Sequence, residues 1–153
     1  MIKKLYAILA GFALLLIGGF TLTAQAQVPS NTVIKAHIPF SFIVKDKTFP
    51  AGEYTIKPTE DVSDSDMIFE IVRDNGREKA MIFETYDATE NQALKDDMLI
   101  FDKMGDKYFL SKIFAAYETS GNEVEKSKME KNLEDRAVKK ETYHLKAKFW
   151  KKG

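Results

Sequence analysis

Residues 67–86 read MIFEIVRDNGREKAMIFETY, and this stretch decides the fold class. Asn75-Gly76 is the preferred dipeptide of a two-residue type I′ turn, because both central positions need a left-handed backbone. A turn there folds the flanking segments into an antiparallel hairpin. Asp74 then faces Arg77, Arg73 faces Glu78, Ile71 faces Ala80 and Phe69 faces Ile82. Opposite charges near the turn and apolar pairs beyond it each stabilise such a hairpin by about 0.2–1 kcal/mol. Ile68 and Val72 put further apolar groups on the other face, near Phe83 and Met81. A hairpin that is apolar on both faces fits a sandwich or a curled, barrel-like sheet better than a flat sheet with one wet face.

The segments on either side repeat this pattern. In residues 33–44 (VIKAHIPFSFIV), Ile34, Ala36, Ile38, Phe40, Phe42 and Val44 share one face by period 2, and Pro39 marks an edge or a bend because it has no N–H to donate. Lys45-Asp46-Lys47 is a polar turn. Pro50 and Gly52 suit a second turn, Glu53 to Lys57 a strand ended by Pro58, and Thr59 to Asp66 an acidic loop. Asp97 to Phe114 reads as another hairpin with its turn at Gly105. A Met104-Gly105 turn would pair Lys103 with Asp106; a Gly105-Asp106 turn would pair Met104 with Lys107; the charge match favours the first. Glu123 to Lys140 has no Gly or Pro, and Val124, Met129, Leu133 and Ala137 form a narrow apolar stripe, with Asp135 and Lys139 spaced as a helical ion pair. A long charged helix over about 122–141, capped at or just before Asn122, is expected to lie across the sheet. In Tyr143 to Trp150 apolar and polar residues alternate with strand periodicity, and a continued helix is the alternative. The expected architecture is all-β or β-dominated: a sandwich or open barrel of antiparallel strands with one long charged C-terminal helix.

The N-terminus reads as a leader. Lys3 and Lys4 precede an uncharged run from Leu5 to Phe20, too short for a spanning helix of about 20 residues. Ala24-Gln25-Ala26 then supplies the small residues a signal peptidase reads. Residues 1–26 are therefore expected to be a signal peptide, leaving a single β-rich domain at 27–153 with a basic C-terminal tail and no membrane span. The destination is the periplasm, the cell surface or the medium. The chain has no cysteine, which removes disulfides, thiol nucleophiles and thiolate metal sites, so the domain must be held by its own core. Basic and acidic residues number 23 each; without Lys3 and Lys4 the balance is slightly acidic, which argues against nucleic acid as a partner.

Three stretches together resemble a family of small secreted bacterial proteins with no assigned activity. Ile38 to Val44 followed by Phe49-Pro50-Ala51-Gly52-Glu53-Tyr54 is similar to its Pro-Phe and Leu-Pro-Ala-Gly-x-Tyr pattern. Phe101 to Leu110, with Gly105-Asp106 and Tyr108-Phe109-Leu110, resembles its Gly-Asp hairpin, and Gly121 to Lys128 resembles the start of its charged helix. Phe49 replaces the usual Leu, and Lys45 stands where Gly is frequent. The resemblance implies export and a β-rich domain, and it carries no catalytic residues.

Chemistry is thinly signalled. His37 and His144 are the only histidines, and with no cysteine a zinc site would need both plus distant carboxylates. His37 falls on the strand face opposite Ala36. Asp61, Asp64 and Asp66 lack the Gly and terminal Glu of a calcium-binding EF-hand loop. Ser41, Ser111 and Ser127 have no Gly-x-Ser-x-Gly context. Gly52, Gly76, Gly105 and Gly121 are isolated, unlike a phosphate-binding loop. Tyr54, Tyr86, Tyr108, Tyr117 and Trp150 are candidates for a stacking surface, and the lysine-rich tail from Lys139 for contact with an anionic polymer or lipid. No catalytic, cofactor or metal residue is assigned. The first functional expectation is a non-enzymatic exported binding or structural module, its partner an envelope polymer, a protein or an apolar small molecule. A ligand-carrying barrel with an apolar pocket and a small secreted hydrolase are the alternatives.

Overall fold

The computed structural model describes residues 32–59, 68–74 and 81–151. The expected leader at 1–26, the Asp61/Asp64/Asp66 loop and the Asn75-Gly76 turn lie outside them. Among the described residues there are eleven strands: β1 (Thr32–Ile38), β2 (Phe42–Val44), β3 (Lys47–Phe49), β4 (Gly52–Pro58), β5 (Ile68–Arg73), β6 (Met81–Thr89), β7 (Met98–Met104), β8 (Lys107–Phe114), β9 (Ser120–Val124), β10 (Lys140–Lys146) and β11 (Lys148–Lys151). Among the described residues one helix, α1, covers Lys128–Asp135. The protein is β-dominated. Among the described residues no helix is long and apolar enough to cross a membrane.

The strands pair in the order β10-β7-β8-β9-β6-β5-β4-β1-β11, antiparallel throughout; β2 pairs antiparallel with β3 and makes one parallel bridge to β8. Two segments turn corners between the sheets. In β6, Met81–Glu84 pair with β5 and Thr85–Thr89 with β9. At the other side β10 pairs with β7, and after Ala147 the same segment pairs with β1 as β11. The two ends of the strand order are thus successive parts of one chain segment, and the sheet curls around a common interior, as strands that switch sheets at corners require. Asp97 fixes this corner: its carbonyl accepts from Ala147 N at 2.9 Å, its Oδ2 from Phe149 N at 3.0 Å and its Oδ1 from Ala116 N at 2.9 Å.

The interior follows the period-2 stripes. Ile34, Ala36, Ile38, Phe42, Val44, Tyr54, Ile56, Phe69, Ile71, Phe83, Phe101, Leu110 and Ile113 form one buried cluster. Full burial of each large apolar side chain stabilises the fold by about 1.5–3 kcal/mol. Tyr54 satisfies its buried hydroxyl by donating to Pro50 O at 2.6 Å. The break between β1 and β2 falls at Pro39–Ser41, and Phe40 stacks on Tyr108 at 4.0 Å between ring centres.

Four details correct the sequence expectations. In the β5–β6 hairpin Phe69 pairs with Phe83 and Ile71 with Met81, one residue away from the expected register. A one-residue slip flips every side chain to the other face; this one buries Phe83 and leaves Ile82 62% exposed. In the β7–β8 hairpin the turn is Gly105-Asp106 and Met104 pairs with Lys107. Gly105 takes φ 62°, the left-handed value a tight hairpin turn needs, and this backbone requirement overrides the Lys103–Asp106 charge match. The long helix at 122–141 is replaced by β9, an eight-residue helix and β10. Val124 is buried in the main core and Asn122 Nδ2 donates to Thr85 Oγ1 at 3.1 Å, so both belong to the sheet, and Ser127 is the N-cap. Only Leu133 of the apolar stripe packs from the helix; Met129 is exposed, and Ala137, at φ 54°, lies past the helix end. Lastly, Lys139 pairs with Glu141 at 2.8 Å rather than with Asp135, and the basic tail is sheet. Lys45 sits at φ 51° in the β2–β3 turn.

Candidate functional site

Among the described residues, the two larger concave surfaces lie on the outside of the sheet. The first is an open pocket of about 440 Å³ where β1, β4 and the β10–β11 corner meet, lined by Lys35, His37, Glu53, Lys146, Lys148 and Trp150 among others. The alternation that buries Ile34 and Ala36 turns Lys35 and His37 outward, and pairing of Lys35 with Lys148 and of Val33 with Trp150 brings the basic tail alongside. Trp150 is 46% exposed, with Lys35 Nζ 5.7 Å from its ring centre, within cation–π range. His37 Nδ1 lies 2.7 Å from Glu53 Oε1, and Lys146 pairs with Asp96 at 2.6 Å; both are exposed pairs.

The second surface is a groove of about 450 Å³ across β10, β7, β8 and β9, lined by Asp102, Ser111, Lys112, Lys126, Lys140 and His144 among others. A β-bulge shapes its floor. Ile100 pairs with Lys112 and Phe101 with Leu110, which leaves Ser111 as the extra residue. A bulge re-aims side chains, and here Ser111 and Lys112 both line the groove. Ser111 Oγ donates to the buried Asp102 Oδ2 at 3.2 Å, which also receives Lys140 Nζ at 3.2 Å.

Helix α1 begins two residues after Lys126, which lines the groove. Leu133 and Val138 pack on Ile43, Met104 and Phe109, a small second cluster on the outer face of the sheet. Its first turn is a capping box: Ser127 Oγ accepts from Glu130 N at 2.9 Å, and the Glu130 carboxylate accepts in turn from the Ser127 backbone N–H. Glu130 is only 3% exposed, and its Oε1 has no hydrogen-bond partner among the described residues. Burial, then repulsion from Asp102, pushes its carboxyl up to about 7. Lys126 Nζ lies 2.7 Å from Glu134, and the hydrogen bond to that carboxylate raises the lysine above its ordinary value.

The sequence candidates are dispersed. His37 and His144 stand on different surfaces. His144 lines the groove that holds Ser111 and Asp102 but makes no hydrogen bond to either, and Ser111 donates to the acid, so no nucleophile–base pair is assembled. Ser41 is exposed and Ser127 caps α1. Among the described residues no cluster of His, Asp and Glu is placed to hold a metal. The five aromatic candidates share no platform: Tyr54 is in the core, Tyr108 packs on Phe40, and Tyr86 and Tyr117 are exposed on other elements. The Asp102–Glu130 cluster went unnoticed in the sequence, although Ser127-x-x-Glu130 is a legible capping-box signature. Searches against protein-family models, characterised proteins and solved structures find no match to the chain.

Proposed function

We propose that the protein is an exported, non-enzymatic binding module whose Trp150 surface takes an anionic polymer. One observation carries this reading: the fold gathers an exposed indole with Lys35, Lys148 and His37 in a single concave site. An indole face stacks on a flat ring, and ammonium groups beside it neutralise carboxylate, phosphate or sulfate. Concavity favours a chain of rings over a flat lipid surface. Export is supported by the leader-like N-terminus and the absence of cysteine. The carrier reading has less support, because the pockets among the described residues are lined mostly by charged and polar side chains and not by the aromatic and aliphatic cluster; the hydrolase reading has less because Ser111 and His144 do not meet.

Trp150 is the chain's single tryptophan, so intrinsic fluorescence reports directly on the site. Titration with an acidic polysaccharide should change that emission. The effect should weaken as salt rises from 50 to 500 mM (about a threefold shorter screening length), and Lys35→Ala/Lys148→Ala should suppress it. Equal responses to neutral dextran and to an acidic chain would refute the reading.

A further inference from the structure

Helix α1 is too short to be stable alone; isolated helices under about 12 residues are marginal in water. Its attachment rests on Leu133 and Val138 and on the charged groups beneath its first turn. Those groups come from every element packed there. Asp102 is on β7, Lys140 on β10, Lys126 in the β9–α1 link, and Glu130 and Glu134 on the helix itself; Asp46, from the β2–β3 turn, accepts from Lys128 N at 3.2 Å. Lys140 reaches both Asp102, at 3.2 Å, and Glu134, at 3.9 Å, while Lys126 holds Glu134. The inner set is three carboxyls against two ammonium groups. Fully ionised, it carries one uncompensated negative charge, and the side chain with least access to water is Glu130. A buried charge without a partner is expensive, and a bound proton removes it.

We propose that Glu130 is a proton-operated latch: protonated, it holds α1 down on the sheet, and its ionisation releases the helix. The buried Oε1 has no hydrogen-bond partner among the described residues, and protonation removes the carboxylate's repulsion from the nearby Asp102. Once α1 lifts, the ionised carboxylate reaches water. The released state binds no proton above the ordinary carboxylate range, so attachment is tightest in acid. It weakens as pH rises from about 4.5 to about 7 and changes little beyond. The surface the lifted helix would uncover is the small apolar cluster of Ile43, Met104 and Phe109 on which Leu133 packs.

Native-state hydrogen exchange, corrected for intrinsic rates, tests this. Protection of the amides in 128–135 should fall on the order of tenfold between pH 5 and pH 7.5. Glu130→Gln keeps an acceptor for the Ser127 N–H but cannot ionise, and should remove the pH dependence. Should that variant fail to fold, carboxyl-carbon NMR of the unmodified protein decides. A Glu130 midpoint near 7, moved down by Asp102→Asn, supports the latch; a midpoint near 4.5 overturns it. Equal α1 protection at both pH values, or a pH dependence unchanged in Glu130→Gln, also overturns it.

Discussion

Replacing Asp97 by alanine should destabilise the domain by about 2–3 kcal/mol. Its carboxylate accepts two backbone N–H groups, from Ala116 at 2.9 Å and Phe149 at 3.0 Å, both partly buried. Hydrogen bonds to a charged acceptor contribute roughly 1.5–3 kcal/mol each, and partial access to water trims this to about 1–1.5. The third bond, from Ala147 N to the Asp97 carbonyl, survives the substitution, so the corner is weakened and not abolished. Urea unfolding should show the midpoint falling by about 1–2 M with an unchanged slope. Hydrogen exchange should locate the loss at Phe149 and Ala116. Asp96→Ala is the matched control: its exposed pair with Lys146 should be worth less than about 1 kcal/mol. If Asp97→Ala costs under about 0.5 kcal/mol, or no more than the control, the corner is held by something other than these bonds.

Two further outcomes follow from the same coordinates. Gly121 pairs with both Ala88 and Phe114, and a Cβ there would overlap the Ile113 carbonyl and come within 2.7 Å of the Phe114 ring; Gly121→Ala should cost about 1–3 kcal/mol by urea denaturation. Glu130 links global stability to pH. Its folded-state value near 7 stands above the unfolded 4.5, so its favourable contribution is complete below pH 4.5 and lost as pH rises to about 7. The ceiling is roughly 3 kcal/mol; relaxation around the ionised carboxylate reduces this to about 1–2, and Glu130→Gln should flatten that part of the stability profile.

The core was legible because a strand shows each face at alternate positions. Ile34, Ala36 and Ile38 were assigned to one side and His37 to the other, and they lie there. What misled was trust in local signals over burial. In the β5–β6 hairpin, the expected pairing of Phe69 with Ile82 gave way to its pairing with Phe83, which buries both rings. Residues 122–124 carry helix-compatible side chains, yet Asn122 and Val124 complete a sheet whose other strands are distant in sequence. The groove was illegible for a related reason. Its floor depends on a single-residue bulge at Ser111, and its charges come together from β7, α1 and β10 only after the sheet has curled.

The segment that turns the corner at Ala147 is made after each strand it joins. During synthesis β1 and β7 both wait for it, the first with more than a hundred residues still to come between Ile34 and its partner Phe149. Until then each presents a bare edge able to recruit a neighbouring nascent chain, and closing so long a loop is slow. A ribosome stalled before residue 140 would therefore release a product with two sticky borders, and quality control would meet it as an aggregate rather than as a truncated but folded domain.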